Sequence, residues 1–264
     1  VSSLLGASIA KLFPVTLVHI ESGLRSFNFF EPFPEEMCRF IISKLVDIHF
    51  CPNGWCVDNL KNSNGEKINT GENTLIETFW YAAVSRSDSA FVKIVKNRKG
   101  KYCVLVAHRQ EHVIFNKEKT EEMLTFVLNN IPTDMLCVFV VHDLSASFVA
   151  ALKAKTDKNV FKRVLFAKIM PYVDYMHLLA DAEFMVTDGG SNQEEMYYMG
   201  KPCLLIRKNT ERIEGLGKNV VLSKNDKQTI EEFLRNYRKY IRPSVKTTIR
   251  PSKIIADYLN SNEK

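Results

Sequence analysis

Glu183-Phe184-Met185-Val186-Thr187-Asp188-Gly189-Gly190-Ser191-Asn192-Gln193-Glu194-Glu195 is the stretch that decides the fold. An apolar run ends in two glycines, and a helical pattern follows. Glycine lets backbone approach a ligand closely, and the first turn of a helix presents N–H groups at its positive dipole end. In an open α/β sheet this strand-to-helix turn is where a phosphate sits. Gly189, Gly190 and Ser191 are therefore candidate anion-binding residues, and Glu194 or Glu195 a candidate partner for a ribose. The plainer alternatives stay open: a Gly-Gly pair also serves simply as a turn, and acids in a first helical turn also serve the dipole.

Outward from this stretch the same alternation repeats. Short apolar, β-branched runs at 15–20, 47–51, 67–70, 102–107, 136–141, 164–166, 183–187, 203–206 and 220–222 predict strands. Helical spacing at 35–45, 121–129 and 229–240 separates them, and 75–96 reads as one long helix-compatible stretch. Strand-then-helix order predicts parallel sheets covered by helices on both faces. The polar turn Asn97-Arg98-Lys99-Gly100 precedes a complete βαβ alternation, so residues 101–223 can form one doubly wound domain. The expected division is 1–75, the remainder of a first Rossmann-like domain; 76–242, a second; and 243–264, a helical tail.

The chain has 264 residues and a formal charge of +6, mild for its size. Much of the surplus falls late, at Arg235, Arg238, Lys239, Arg242, Lys246, Arg250 and Lys253, as on a solvated helical face. No aromatic interleaving or fold motif accompanies it, so a nucleic-acid partner is not expected. Cys38, Cys51, Cys56, Cys103, Cys137 and Cys203 form no C-x-x-C pair. They read as buried apolar residues of a reducing, cytoplasmic protein, without a metal site. The apolar stretch 4–20 is broken by Lys11 and Pro14, so no membrane span is expected there.

Two further segments carry candidate chemistry. His108-Arg109-Gln110-Glu111-His112 follows a strand, and a His–Arg pair at a strand end suits a dianionic leaving group; an ordinary surface pair is the alternative. His19-Ile20-Glu21-Ser22-Gly23-Leu24-Arg25-Ser26, followed by Pro32-Phe33-Pro34-Glu35-Glu36-Met37-Cys38-Arg39, places one carboxylate after a strand and another at a helix start. Two such carboxylates can divide acid and base work. Helix-terminal charge is the simpler account of Glu35 and Glu36.

Taken together and in order, these segments resemble the UDP-N-acetylglucosamine 2-epimerase family. His19–Ser26 looks like HxEAGLRT/S, Pro34–Arg39 like PEExNR, His49-Phe50-Cys51-Pro52 like HFAPT, and Thr70–Glu77 like TGNTVID with one inserted residue. Ala107–Glu111 resembles the HRRE segment, Thr187–Glu195 resembles TDSGGIQEE, and Gly200-Lys201-Pro202 with Thr210-Glu211-Arg212 resemble GKP and TERPE. The matches run from residue 19 to about residue 215.

The resemblance implies a GT-B-like α/β fold: two Rossmann-like doubly wound domains, the first incomplete here, with a sugar nucleotide in the cleft between them. It implies that Gly189, Gly190 and Ser191 face the diphosphate and Glu195 the ribose. His108, Arg109 and Arg212 would meet the phosphates, the region of Tyr172 and Tyr175 the uracil, and Arg39 the substrate. Glu21, Glu35 and His108 would be catalytic. The implied reaction eliminates UDP as the C2 proton leaves, then returns UDP with a proton on the opposite face. This interconverts UDP-N-acetylglucosamine and UDP-N-acetylmannosamine for surface polysaccharide, with no NAD or metal required, in a homodimer. Rival activities are epimerisation of a related UDP-amino sugar, hydrolytic release of N-acetylmannosamine, and inactive UDP-sugar binding. A glycosyltransferase of similar fold ranks last, because it would lack both HIESGLRS and PFPEE.

The departures are specific. The family's aspartate of an HGD motif and its G-x-R-P-E loop would fall before Val1, so the sequence is expected to be a fragment. Gly189 replaces the serine of TDSGG, which reads as a displaced or lost donor. Gln110 replaces an arginine and Cys38 an asparagine, so activation by substrate is not expected.

Overall fold

A computed structural model describes residues 1–98, 100–109 and 115–262; Lys99, Gln110, Glu111 and His112 of the segments above lie outside the described residues. The chain divides into two compact units. One comprises Val1–Thr78, Thr210–Arg212 and Lys246–Lys264, the other Phe79–Asn209 and Ile213–Val245.

The first unit is built on three short parallel strands, β1 (Val18–Ile20), β2 (Ile48–Cys51) and β3 (Glu66–Asn69), in the order β1-β2-β3. Helix Glu35–Leu45 turns Cys38 and Ile42 inward, where they pack with Ala7 of helix Ser2–Ala10 and with Val46. A second cluster gathers Leu24, Cys51, Cys56 and Leu60. The sharp bend after β1 explains Gly23: its φ is +86°, and a Cβ there would lie 2.2 Å from the carbonyl oxygen of Cys56. The last helix, Pro251–Ser261, belongs to this unit. Tyr258 sets its ring edge-on to Phe50, centroids 5.6 Å apart, and donates its hydroxyl to Glu66.

Six parallel strands organise the second unit: β4 (Lys101–Val106), β5 (Met135–Val141), β6 (Val164–Lys168), β7 (Met185–Thr187), β8 (Cys203–Leu205) and β9 (Val220–Leu222). Their order is β6-β5-β4-β7-β8-β9. The strands are nearly continuous apolar runs because helices cover both faces, leaving no side of the sheet to water. Leu105, Phe139, Phe184 and Val186 meet Leu124 and Leu128 of helix Lys117–Asn130 and Phe233 of helix Lys227–Asn236 in one core. Asp226 caps the latter helix, accepting the Thr229 N–H at 2.8 Å. The chain starts at the centre of the sheet, winds outward to β6, then returns to place β7 on the other side of β4. That reversal is the topological switch point of the fold, where strand C-termini open a ligand crevice.

The α/β class and the positions of the strands match the sequence expectation. The stretch 75–96 does not form one helix. It forms two, Leu75–Val84 and Ala90–Asn97, because the polar run Ser85-Arg86-Ser87-Asp88-Ser89 interrupts the apolar pattern and Ser89 caps the second, accepting from Val92 N at 3.4 Å. The late basic residues are exposed but share no helical face, since Arg242 and Lys246 lie in the irregular stretch 241–250. The six cysteines are buried thiols. Among the described residues no helix is long and apolar enough to cross a membrane.

Candidate functional site

In the second unit the site is assembled at the switch point, where β4 and β7 lie side by side and release the chain at their C-terminal ends. His108 and Arg109 follow β4; Asp188, Gly189 and Gly190 follow β7. The two segments are tied by a fully buried carboxylate. Asp188 accepts the backbone N–H of His108 at 3.0 and 3.1 Å and that of Arg109 at 3.0 Å. Nδ1 of His108 lies 3.2 Å from the same carboxylate, and Nε of Arg109 donates to the Asp188 carbonyl at 2.9 Å. An ionised carboxylate is tolerated away from water only with such donors. The result is that the backbone of both candidates is held by one buried carboxylate, while the His108 side chain keeps 38% of its surface in solvent.

The glycine turn starts helix Gly190–Met199. The N–H of Gly189 is taken by Thr187 Oγ1 at 3.0 Å. The groups that open the helix toward a ligand are therefore the N–H groups of Gly190 and Ser191, which have no carbonyl one turn behind them. Gly189 contributes room rather than a donor. Ser191 is exposed. Glu194 and Glu195 are buried, not solvated first-turn charges. Glu195 accepts from Asn192 Nδ2 at 2.9 Å, and the same amide nitrogen donates to the Tyr175 hydroxyl at 3.0 Å. Tyr172 is half-buried, and burial followed by the neighbouring Glu195 carboxylate pushes its phenol well upward. Tyr175 is raised for the same two reasons. Tyr175 is thus linked through Asn192 to the group expected to meet the ribose.

The first unit brings together another set. Glu21, directly after β1, has a φ of +61°, a conformation that costs a side-chain-bearing residue roughly 1–2 kcal/mol. Its carboxylate stands 3.6 Å from Nη2 of Arg212, with 38% and 6% of the two side chains exposed. Arg39 stands 3.9 Å from the buried Glu211. These two contacts explain why Thr210–Arg212 goes with the first unit. Glu35 is exposed at the start of helix Glu35–Leu45; among the described residues no hydrogen bond or ion pair joins it to Glu21. Its neighbour Glu36 is buried and accepts the Ser26 N–H at 3.1 Å. Ser22 links two imidazoles, its Oγ 3.1 Å from His19 Nδ1 and 2.7 Å from His49 Nδ1.

Three residues at these sites were not singled out from the sequence: Asp188, Asn192 and His142. His142 follows β5 and caps helix Asp143–Lys155, its ring 5.8 Å from that of His108. A polar residue just past the C-terminal end of a strand beside the switch point is the signal that marks it. Among the described residues no cluster of His, Cys, Asp or Glu could hold a metal ion.

Comparison with known proteins agrees with this architecture. The family model described as UDP-N-acetylglucosamine 2-epimerase matches residues 1–251. The UDP-N-acetylglucosamine 2-epimerase of Bacillus subtilis is 29% identical over 233 residues, covering 87% of this chain and 60% of that protein. The UDP-2,3-diacetamido-2,3-dideoxy-D-glucuronate 2-epimerase of Pseudomonas aeruginosa is 28% identical over 251 residues, covering 91% and 66%. The chain thus spans less than two thirds of the length of these relatives. The crystal structure of UDP-GlcNAc 2-epimerase from Neisseria meningitidis bound to UDP-GlcNAc superposes with a TM-score of 0.83 at 23% identity, over 99% of this chain and 74% of that one. That likeness shows a GT-B-like fold of Rossmann-like sheets. With a family model matched from the first residue to position 251, this chain belongs to the UDP-N-acetylglucosamine 2-epimerase family.

Proposed function

We propose that the protein is a 2-epimerase of UDP-linked N-acetylated amino sugars, interconverting UDP-N-acetylglucosamine and UDP-N-acetylmannosamine. The observation that carries this is the switch-point turn, where Asp188 fixes His108 and Arg109 beside the start of helix Gly190–Met199. Helix-start N–H groups with a histidine and an arginine suit a diphosphate that must leave and be held. Gly190 and Ser191 would donate to it, Gly189 would leave it room, and Arg212 would add charge. Glu195 would bind the ribose, with Tyr172 and Tyr175 beside the nucleoside and Arg39 on the substrate.

In the forward step a carboxylate takes the C2 proton, the C1–O bond breaks, and its electron pair leaves with UDP. In the return step UDP rebonds to C1, and a proton reaches C2 from the opposite face. Glu21 and Glu35 are assigned to this proton traffic, and His108 to the departing phosphate. The route moves a proton and a diphosphate but no hydride, so its chemistry calls for no redox cofactor. The Pseudomonas relative acts on a diacetamido sugar, and the changed glycine turn here keeps a related UDP-amino sugar as the second reading. Buried thiols suit a reducing compartment, and we place the protein in the cytoplasm. A homodimer follows from the resemblance, and light scattering reads it directly.

Calorimetry with UDP, UMP and ADP tests the nucleotide assignment. UDP should bind, UMP more weakly and ADP least. Absence of UDP binding, or equal binding of ADP, sinks it. Deuterium entering C2 of UDP-N-acetylglucosamine in heavy water reads the reaction itself.

A further inference from the structure

Gly189 has a φ of −86° and a ψ of 134°, an ordinary extended conformation open to any residue. Its lack of a side chain is therefore a matter of space. A Cβ at this position would fall 2.7 Å from Asn192 Oδ1 and 2.8 Å from His108 Cε1. The room that a side chain at 189 would use is already filled, chiefly by the Asn192 amide.

That amide has a defined orientation. The Glu195 carboxylate only accepts, so the atom 2.9 Å from it is the NH2 group. Oδ1 then faces the Thr187 hydroxyl, which donates to it at 3.1 Å while accepting the Gly189 N–H at 3.0 Å. The second amide hydrogen goes to the Tyr175 hydroxyl. Asn192 is itself nine-tenths buried. One side chain thus links the strand end, the glycine turn, Tyr175 and Glu195.

We infer that Asn192 is the positioning residue of the nucleoside half of the site, and that positions 189 and 192 act as a pair. Asn192 holds the Glu195 carboxylate and the Tyr175 phenol in fixed directions toward the ribose. It can do so only because residue 189 has no side chain. The serine-to-glycine departure in the turn is the complement of an asparagine at the third position of the helix, rather than a lost donor. This inference rests on the assignment of Glu195 to the ribose.

The test is a two-by-two set in the full chain: wild type, Gly189→Ala, Asn192→Ala and the double variant. Each is read by thermal unfolding and by calorimetry with UDP and its 2′-deoxy and 3′-deoxy analogues. Gly189→Ala should lower Tm, and the same methyl should do less harm once Asn192→Ala has emptied its space. Additive shifts overturn the pairing. Asn192→Ala should weaken UDP about tenfold, the order of one hydrogen bond to a charged group. It should weaken the deoxy analogues less, so that discrimination between ribose and deoxyribose shrinks. An equal loss for all three ligands overturns the positioning role, because a general structural defect would weaken them alike. If wild type binds no UDP, the functional assignment and the positioning role fall together, and the unfolding data alone decide the pairing. Should Asn192→Ala not fold, Asn192→Ser removes the same amide with less loss of volume.

Discussion

Asp188 and Glu195 in the second unit are shut away from water, whereas Glu21 and Glu35 in the first keep contact with it. The difference extends to what holds them. Asp188 accepts from two backbone N–H groups through three contacts of 3.0–3.1 Å, and Glu195 accepts from a buried amide. Glu21 has Arg212 at 3.6 Å, and Glu35 stands at a solvated helix start. A carboxylate locked among donors cannot gain a proton without breaking its surroundings, so it serves to hold other groups still. One that reaches solvent can pass protons within a catalytic cycle. The molecule thus separates acids that hold other groups still from acids suited to the proposed proton transfer.

The sharpest way to break this comparison is Asp188→Asn. The substitution keeps shape but turns one acceptor oxygen into an NH2 facing the N–H groups of His108 or Arg109. Losing buried bonds to a charged acceptor and opposing two donors should cost about 3 kcal/mol or more. At roughly 2–4 °C per kcal/mol, that lowers Tm by about 6–12 °C. UDP affinity should fall with it, since the His108–Arg109 backbone loses its anchor. A variant that melts with wild type would mean that Asp188 is not the group that fixes the turn.

Glu21→Gln and Glu35→Gln should behave in the opposite manner. Each should slow deuterium incorporation at C2 by roughly a hundredfold or more, the usual scale of general acid–base catalysis. Melting should change far less than in Asp188→Asn, because Glu35 is exposed and Glu21, though 3.6 Å from the buried Arg212, keeps 38% of its own side chain in solvent. Unchanged exchange in both would return Glu35 to a plain helix-start charge and Glu21 to a partner of Arg212. A large loss of Tm with either would blur the line between the two kinds of acid.

The parts of this division that were legible in the sequence are those with local signatures. Residues 102–107 and 136–141 read as strands, within a residue of the observed Lys101–Val106 and Met135–Val141, because both faces are buried and the apolar run is unbroken. The glycine turn was visible as a strand, two glycines and a helix. What could not be read was the partner of each polar group. Asp188 meets His108 across 80 positions, a pairing created by the switch in strand order. Glu194 and Glu195 read from the sequence as first-turn surface acids, yet they lie just past the first turn and the helix carries them inward. Gly189 looked like a missing hydroxyl because only the folded chain shows what fills its space. The break at 85–89 was missed because helix-compatible residues on both sides masked a serine-rich interruption.

The smallest expected effect sharpens the picture of the first unit. His49 Nε2 lies 3.0 Å from the Asn64 carbonyl, which can only accept, so that nitrogen carries a hydrogen. Burial lowers the pKa of His49, and in the neutral ring Nδ1 then accepts the Ser22 hydroxyl hydrogen. Ser22 has no second hydrogen, so its oxygen accepts from His19 Nδ1. His19 is left neutral with a bare Nε2. Protonation there is opposed first by burial and then by His49, Arg39 and Arg25, which hold its pKa down at about 4 against 6.5. Between these values the unfolded chain binds the extra proton and the folded chain does not, so stability rises with pH across the window. It is fully present above 6.5 and is lost as pH falls toward 4. The linkage is about 2 kcal/mol once the half-buried ring is discounted for solvent. Urea unfolding followed by Trp55, with Trp80→Phe removing the signal of the second unit, should show this slope in wild type. His19→Gln, which cannot titrate, should flatten it by about that amount. Parallel slopes in the two proteins would mean that His19 titrates alike folded and unfolded, and that the imidazole–serine chain does not hold it neutral.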